Sequence, residues 1–378
     1  MSYSLVSNAY SQSHLRVYTA GEPVTLQPCK PLTQSIVLMG GGKDVRAAYP
    51  WMVKKAANCG HANSSHPGNF VVLRSEGNGN YDKTLLQLGA IAAVQTLIVP
   101  DSASANDPKL DEYIKNASII WIAGGDQKVY YDAWKASHLL TLIKNQIHYR
   151  HVPFGGASAG MMLLGNFIHT GNPAHILTST EALANPYNPY MVLQRKFWPS
   201  TKNVIEDAPY PIFLNTIIES HFDTRDRMGR TLTFMARNLA DQWVGPNPTN
   251  VKTYRRAHAI AVDGEAALLI EQKESDHSFQ ASIVINSGVT GSAYFLNANS
   301  YPVCDKTGEL LDRECTGTFS FKGVRVSRLT GTDQQSLNLF NLSKWKPTSA
   351  VTPENFERYV IDVKSGQLRQ SGNEGAVY

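Results

Sequence analysis

Two stretches decide the fold: Ser118-Ile-Ile-Trp-Ile-Ala-Gly124-Gly125 and, further on, His151-Val-Pro-Phe-Gly-Gly-Ala-Ser158-Ala-Gly160. Each opens with a short run that is apolar on both faces and closes on paired glycines. Short strands without a polar face are the kind buried on both sides, as in a parallel sheet. Working outward, Ser35-Ile-Val-Leu-Met39 runs into Gly40-Gly41-Gly42, and Phe70–Arg74 and Thr96–Pro100 read the same way. Helical spacing fills segments between them, such as Asp44–Asn58 and Tyr81–Val94. Alternating strands and helices predict an α/β domain with a doubly wound, mostly parallel sheet. In such sheets ligands lie beyond the carboxyl ends of the strands. The glycines at three of those ends mark backbone brought close to a ligand.

Past about residue 280 helical spacing becomes scarce. Ser282–Asn286, Ala293–Asn297 and Gly323–Ser327 read as strands separated by turn residues. The organisation predicted is an irregular segment over 1–34, the α/β domain over 35–280 and a small β-rich C-terminal region over 281–378. The chain has 378 residues and a formal charge of +4, without a basic tract, so neither nucleic acid nor membrane is implied as a partner. No apolar run reaches membrane-spanning length, and Met1–Arg16 lacks the apolar core of a signal peptide. The chain therefore reads as soluble. The four cysteines, Cys29, Cys59, Cys304 and Cys315, form no CxxC and have no histidine at zinc-finger spacing. They read either as buried thiols or, for Cys304 and Cys315, as a disulfide flanking a polar loop, which would mean an oxidising compartment. No metal site or cofactor is expected.

Gly156-x-Ser158-x-Gly160 puts a serine on a tight strand-to-helix turn, with only small residues around it. Its hydroxyl would stand at a helix start, and the Ala159 N–H would be free to meet an oxyanion. The alternative is a glycine-rich turn that only lets a helix pack on a sheet. Gly124-Gly125-Asp126-Gln127 would lie alongside, with Gly125 as a second donor and Gln127 as a substrate contact; otherwise it is a turn in which Asp126 caps a helix. His221, after the apolar run ending at Ile218-Glu219-Ser220, is the candidate base at the sheet's active edge. Arg225, Arg227 and Arg230 follow it and would line one mouth for a carboxylate, unless they are surface ion pairs.

At these clusters the chain resembles cyanophycinase and its relatives, the serine peptidases grouped with aspartyl dipeptidase E. The resemblance rests on Gly40-Gly41-Gly42, Gly124-Gly125-Asp126-Gln127, the Ser158 nucleophile elbow, His221-Phe222 followed by the three arginines, and Ile260-Ala-Val-Asp263-Gly-Glu265. It implies a fold like class I glutamine amidotransferases and a Ser–His–Glu triad, with Ser158 as nucleophile and His221 as base. Gly125 and Ala159 would form the oxyanion hole, while Gln127, Glu219, Ser220, Arg225, Arg227 and Arg230 would shape the substrate pocket. The implied reaction is exo-cleavage of multi-L-arginyl-poly-L-aspartate to β-Asp-Arg dipeptides through an acyl-enzyme. An Asp-X or isoaspartyl dipeptidase and an inactive polymer-binding relative are the alternatives. The tail ending Gly375-Ala-Val-Tyr378 is similar to a longer, often exported branch, which implies a secreted or periplasmic protein; a homodimer is implied as well. The chain departs from the pattern at Glu219-Ser220 and at Gly264, where the triad acid is expected. If this segment is extended, Asp263 and Glu265 share one face opposite Gly264. Glu265 is the favoured acid, with Asp263 and Glu219 as alternatives.

Overall fold

The structure, a computed structural model, describes residues 13–25, 30–57, 68–89, 91–172, 174–200, 208–244, 256–298, 300–333 and 339–372. Cys29, Cys59, Asn58 and the Gly375–Tyr378 tail lie outside the described residues.

The apolar runs form strands Ser35–Met39, Asn69–Arg74, Ala93–Ile98, Ala117–Ile122 and Phe154–Ala157. They lie side by side in parallel, in the order 93–98, 69–74, 117–122, 154–157, 35–39. Alternate residues feed two cores. Val37, Phe70, Val72 and Trp121 pack with Trp51 and Met52 of the Ala48–Ala57 helix on one face. Ile36, Val71, Leu73, Ile120 and Phe154 pack on the other face, among Trp134 and Leu140 of helices Gln127–Trp134 and His138–Tyr149. Helices on both faces make this part doubly wound.

The sheet is mixed, with ten strands. Arg16–Gly21 adds an antiparallel edge beside Ala93–Ile98, within the segment expected to be irregular. On the opposite side Ala266–Gln272 runs antiparallel to Ser35–Met39, followed by Phe279–Ile285. The helix expected over 81–94 is confined to Asp82–Leu86, and the next strand already begins at Ala93.

A second sheet, of seven strands, was not legible from the pattern. Thr216–Glu219 and Ala257–Val262 pair in parallel, and Ser292–Ala298, Phe319–Thr330, Phe356–Lys364 and Gln367–Ser371 continue it antiparallel. The expected boundary at 280/281 therefore cuts the Phe279–Ile285 strand, and strands from the expected C-terminal region join both sheets. Short alternating strands look alike whether they extend an existing sheet or build a separate unit; only their partners differ. Cys304 and Cys315 are joined as a disulfide inside the second sheet's core.

A chain ending at residue 280 is expected to lose near-ultraviolet circular dichroism and a cooperative thermal transition. Native-like dichroism and a sharp transition in that fragment would restore the division at 280.

Candidate active site

Ser158 follows directly on the Phe154–Ala157 strand and caps the short Ala159–Met162 helix at φ 51°, ψ −118°. That conformation is costly for any residue with a side chain, and it persists only where neighbours over-determine it. A Cβ at Gly160 would stand 2.2 Å from the Ile122 carbonyl oxygen, so the turn admits no larger residue there. The half-buried Ser158 Oγ lies 2.8 Å from His221 Nε2.

His221 comes from the other sheet. It follows the Thr216–Glu219 strand, so the pair bridges two sheets; the sequence reading had placed both residues on the edge of one. The segment after Met39 joins them. The carbonyls of Met39, Gly40 and Gly41 accept from the backbone N–H groups of Ser158 (2.9 Å), His221 (2.8 Å) and Glu265 (2.7 Å) in turn. All three recipients have positive φ: 51°, 45° and 57°. Gly41 itself sits at φ 103°, and a Cβ there would fall 2.4 Å from the imidazole. The ring thus occupies space that only glycine leaves open.

Parallel pairing of Ile122 with Gly156 carries the Gly124-Gly125 loop to the serine; a Cβ on Gly124 would be 3.6 Å from Ser158 Cβ. Among the described residues the N–H groups of Gly125 and Ala159 make no hydrogen bond. Asp126 caps the Gln127–Trp134 helix through the Lys128 N–H at 2.7 Å, and Gln127 Nε2 lies 3.1 Å from Met162 Sδ.

The three arginines differ from the expectation of one open mouth. Arg227 and Arg230 are buried and converge on Glu219, which is fully buried, at 2.8–2.9 Å. Burial would raise the Glu219 pKa, but the charges of Arg230 and Arg227 prevail and hold it at about 2. Burial also brings Arg227 down to about 10. Glu219 and Ser220, expected to touch substrate, are instead enclosed: the Ser220 carbonyl and hydroxyl accept from Arg227, and Glu219 anchors the arginines. Arg225 stays exposed at the rim. Together with Gly125, Gln127, Arg227 and Arg230 it lines a cleft of ≈ 240 Å³.

Sequence reasoning missed the other wall, His169–Asn172 and His175–Leu177. His169 is fully enclosed, stacked on Phe234, and burial with Arg230 nearby pushes its pKa down to about 3, so it is neutral. A signal was present, since Phe167-Ile168-His169 has the same apolar-run-then-histidine form as the stretch before His221.

The acid departs most from expectation. Rather than extended chain, Asp263-Gly264-Glu265 is a tight turn that carries the chain from the second sheet into the ten-stranded one, and its acidic side chains diverge. Asp263 turns inward onto the Ser292 N–H (2.8 Å) and Tyr294 hydroxyl (3.3 Å), and burial with the Asp223 charge nearby raises it to about 7. Glu265 turns away to Asn286 Nδ2 at 3.4 Å. Asp223 accepts from the Gly264 N–H at 3.0 Å. Among the described residues no carboxylate is hydrogen-bonded to His221. Burial, then Arg225 and Arg227, lower the His221 pKa to about 4, against the opposing charges of Glu219 and Asp223. No group of described residues is arranged to hold a metal ion.

A serine on a strained turn, an imidazole on its hydroxyl and two N–H groups beside it are an arrangement suited to nucleophilic attack. Residues 80–199 match the model of Peptidase family S51. A cyanophycinase from Geminocystis herdmanii (strain PCC 6308) is 22% identical over 177 residues, which cover 47% of this chain and 57% of that protein. The chain thus spans little more than half of that relative's length. A solved peptidase from an acI-B1 Actinobacterium is 18% identical, with a TM-score of 0.40, over 69% of this chain and 93% of its own.

Glu219→Ala would leave two buried guanidinium groups without their carboxylate, and is expected to destabilise the fold by about 3–5 kcal/mol in denaturant titration. The sign with pH follows from a carboxyl held near 2 when folded against an ordinary 4.5. Its contribution is complete above about pH 5 and declines as pH falls towards 2, a slope that Glu219→Gln should remove.

Proposed function

We propose that the chain is a serine peptidase that opens an amide bond of an aspartyl-containing peptide through an acyl-enzyme on Ser158. The observation that carries this reading is the 2.8 Å contact between Ser158 Oγ and His221 Nε2. His221 Nε2 takes the hydroxyl proton as Oγ bonds to the carbonyl carbon. The N–H groups of Gly125 and Ala159 receive the oxyanion. The C–N bond then breaks, and His221 passes its proton to the leaving amine. Water, activated by the same imidazole, releases the acyl group. Glu219 and Asp223 favour the imidazolium through space, in place of a directly bonded acid.

Arg225 at the rim, backed by the buried Arg227 and Arg230, supplies positive charge for a substrate carboxylate, and Gln127 faces the same cleft. A β-linked aspartyl unit fits this description. The resemblance implies multi-L-arginyl-poly-L-aspartate as the polymer and β-Asp-Arg dipeptides as products, and the Geminocystis herdmanii relative is named a cyanophycinase. The resemblance also supports an amidotransferase-like fold, a homodimer and an exported protein. A cleft of only ≈ 240 Å³ favours a second reading, an Asp-X or isoaspartyl dipeptidase. An inactive polymer binder is the reading motivated by the missing acid contact.

Incubation of insoluble cyanophycin and of free Asp-X dipeptides, with mass analysis of products, separates these readings. Wild type is expected to release dipeptides from the polymer, and Ser158→Ala to lower the rate by at least about 10³-fold. Unchanged hydrolysis in Ser158→Ala would sink the peptidase reading, and cleavage of dipeptides alone would favour the second one.

The pH profile gives a separate check. The imidazole must be neutral to accept a proton, so kcat/KM should fall on the acid side near pH 4 rather than near the ordinary 6.5. Arg225→Gln removes a charge that depresses this pKa, and should move the acid limb to higher pH.

A further inference from the structure

Tyr130, wholly buried behind the Gly124-Gly125 loop, takes no part in the proton transfers at Ser158. It lies one turn into the Gln127–Trp134 helix, and its N–H donates to the Asp126 carbonyl at 3.1 Å. Its hydroxyl turns back to the end of the preceding strand. There it donates to the Ala123 carbonyl at 3.0 Å and lies 3.4 Å from the Gly124 carbonyl, a longer and weaker contact. The ring is held in place by Trp134, edge-on with centroids 4.6 Å apart, whose Nε1 donates to the Val99 carbonyl at 2.8 Å. A Cβ at Gly125 would stand 2.9 Å from that ring, so the loop lies directly on it. The Ala123 carbonyl also faces Gly160, the residue after Ala159, where a Cβ would fall 2.8 Å away. Ser75, 2% exposed, hydrogen-bonds to the phenol oxygen through its main chain and its side chain. Burial raises the pKa of the hydroxyl, so it keeps the proton it donates.

A trans peptide is planar, with its carbonyl and N–H on opposite sides. The Gly124 carbonyl and the Gly125 N–H share one such plane. A Gly124 carbonyl drawn towards the phenol therefore turns the Gly125 N–H the other way. Two glycines in a row leave this plane easily rotated unless something holds it. We propose that Tyr130 is a positioning residue for acyl transfer: its hydroxyl fixes the Ala123 and Gly124 carbonyls, and so holds the Gly125 N–H towards the oxyanion formed on attack by Ser158. This role rests on the serine-peptidase reading. The oxyanion exists only once Oγ has bonded to the carbonyl carbon, so a misdirected donor costs rate and leaves substrate affinity unchanged.

Tyr130→Phe keeps the ring against Gly125 and Trp134 and removes only the hydroxyl. Its steady-state kinetics are compared with wild type and Ser158→Ala in the whole chain, on a soluble cyanophycin trimer, (β-Asp-Arg)3, and on the dipeptide Asp-Leu. Removing an oxyanion donor lowers kcat by about 10²–10³-fold; a donor kept but unguided should lower it by about tenfold or more. KM should stay within about twofold, the signature of an interaction made only in the transition state. The acid limb of kcat/KM should not move, because the Ser158–His221 contact is untouched. Unchanged kcat, or a loss carried by KM or by a displaced acid limb, overturns the positioning role. If Tyr130→Phe melts well below wild type, Ser75→Ala replaces it. That variant keeps the phenol and removes one of its partners, so a fall in kcat of about threefold or more at constant KM is expected, and unchanged kcat overturns the role. An inactive Ser158→Ala beside a fully active Tyr130→Phe sinks this role alone. Wild type that cleaves neither substrate, or Ser158→Ala as active as wild type, sinks it together with the peptidase reading.

Discussion

Three consecutive carbonyls, those of Met39, Gly40 and Gly41, hold the site together. Each takes the N–H of a residue in left-handed backbone, Ser158, His221 and Glu265, and those residues come from three separated parts of the chain. Each such conformation costs on the order of 1–3 kcal/mol, so the cost must be met by surrounding structure. The Ser35–Met39 strand is suited to meet it. It lies inside the ten-stranded sheet between Phe154–Ala157 and Ala266–Gln272, with every residue buried, so its end is fixed from both sides. A strand end held this way can act as a ruler for the two sheets. It sets the serine against one carbonyl and the histidine against the next.

Electrostatics divides the site in the same manner. Arg227 and Arg230 give up most of their solvent contact to Glu219, and the resulting cluster carries a net positive charge of buried groups beside an enclosed neutral His169. That charge cannot be screened as a surface charge is, and so reaches the cleft and the imidazole together. Burial first, then the charges of Arg225 and Arg227, keep His221 unprotonated, which makes the ring available as a base but a weaker one. The positive charge of Arg225 and Arg227 at the cleft therefore opposes protonation of the imidazole. Glu219 and Asp223 offset part of this through space. The compensation is diffuse, and differs from a carboxylate seated directly on the ring.

How far the sequence could be read depends on the range of each interaction. The strands at Ser35–Met39 and Ala117–Ile122 were legible because a doubly buried strand has no polar face to confuse it. The turn at Ser158 was legible because close backbone packing demands the small residues on either side. The sheet that carries His221 was not, since nothing in Thr216–Glu219 names Ala257–Val262 as its neighbour. Nor was the pairing of Glu219 with arginines eight and eleven residues later, which requires the strand to end and the helix to turn back over it. Residues 263–265 misled for a local reason: alternation of faces holds only in extended chain, and Glu265 at φ 57° leaves it.

Gly264 shows how a small departure at the turn shapes the rest. Its N–H donates to Asp223, two residues beyond His221, so the turn is tied to the histidine segment by its backbone. Asp263 is drawn into the second sheet's interior by Ser292 and Tyr294, and its carbonyl packs against Gly40, where a Cβ would stand only 1.9 Å away. Both contacts fix the direction of the turn, and that direction points Glu265 away from the imidazole and to the wall of a neighbouring cavity. The position of Glu265 therefore links two features of this site, an imidazole with no carboxylate bonded to it among the described residues and a cavity of mixed charge beside it.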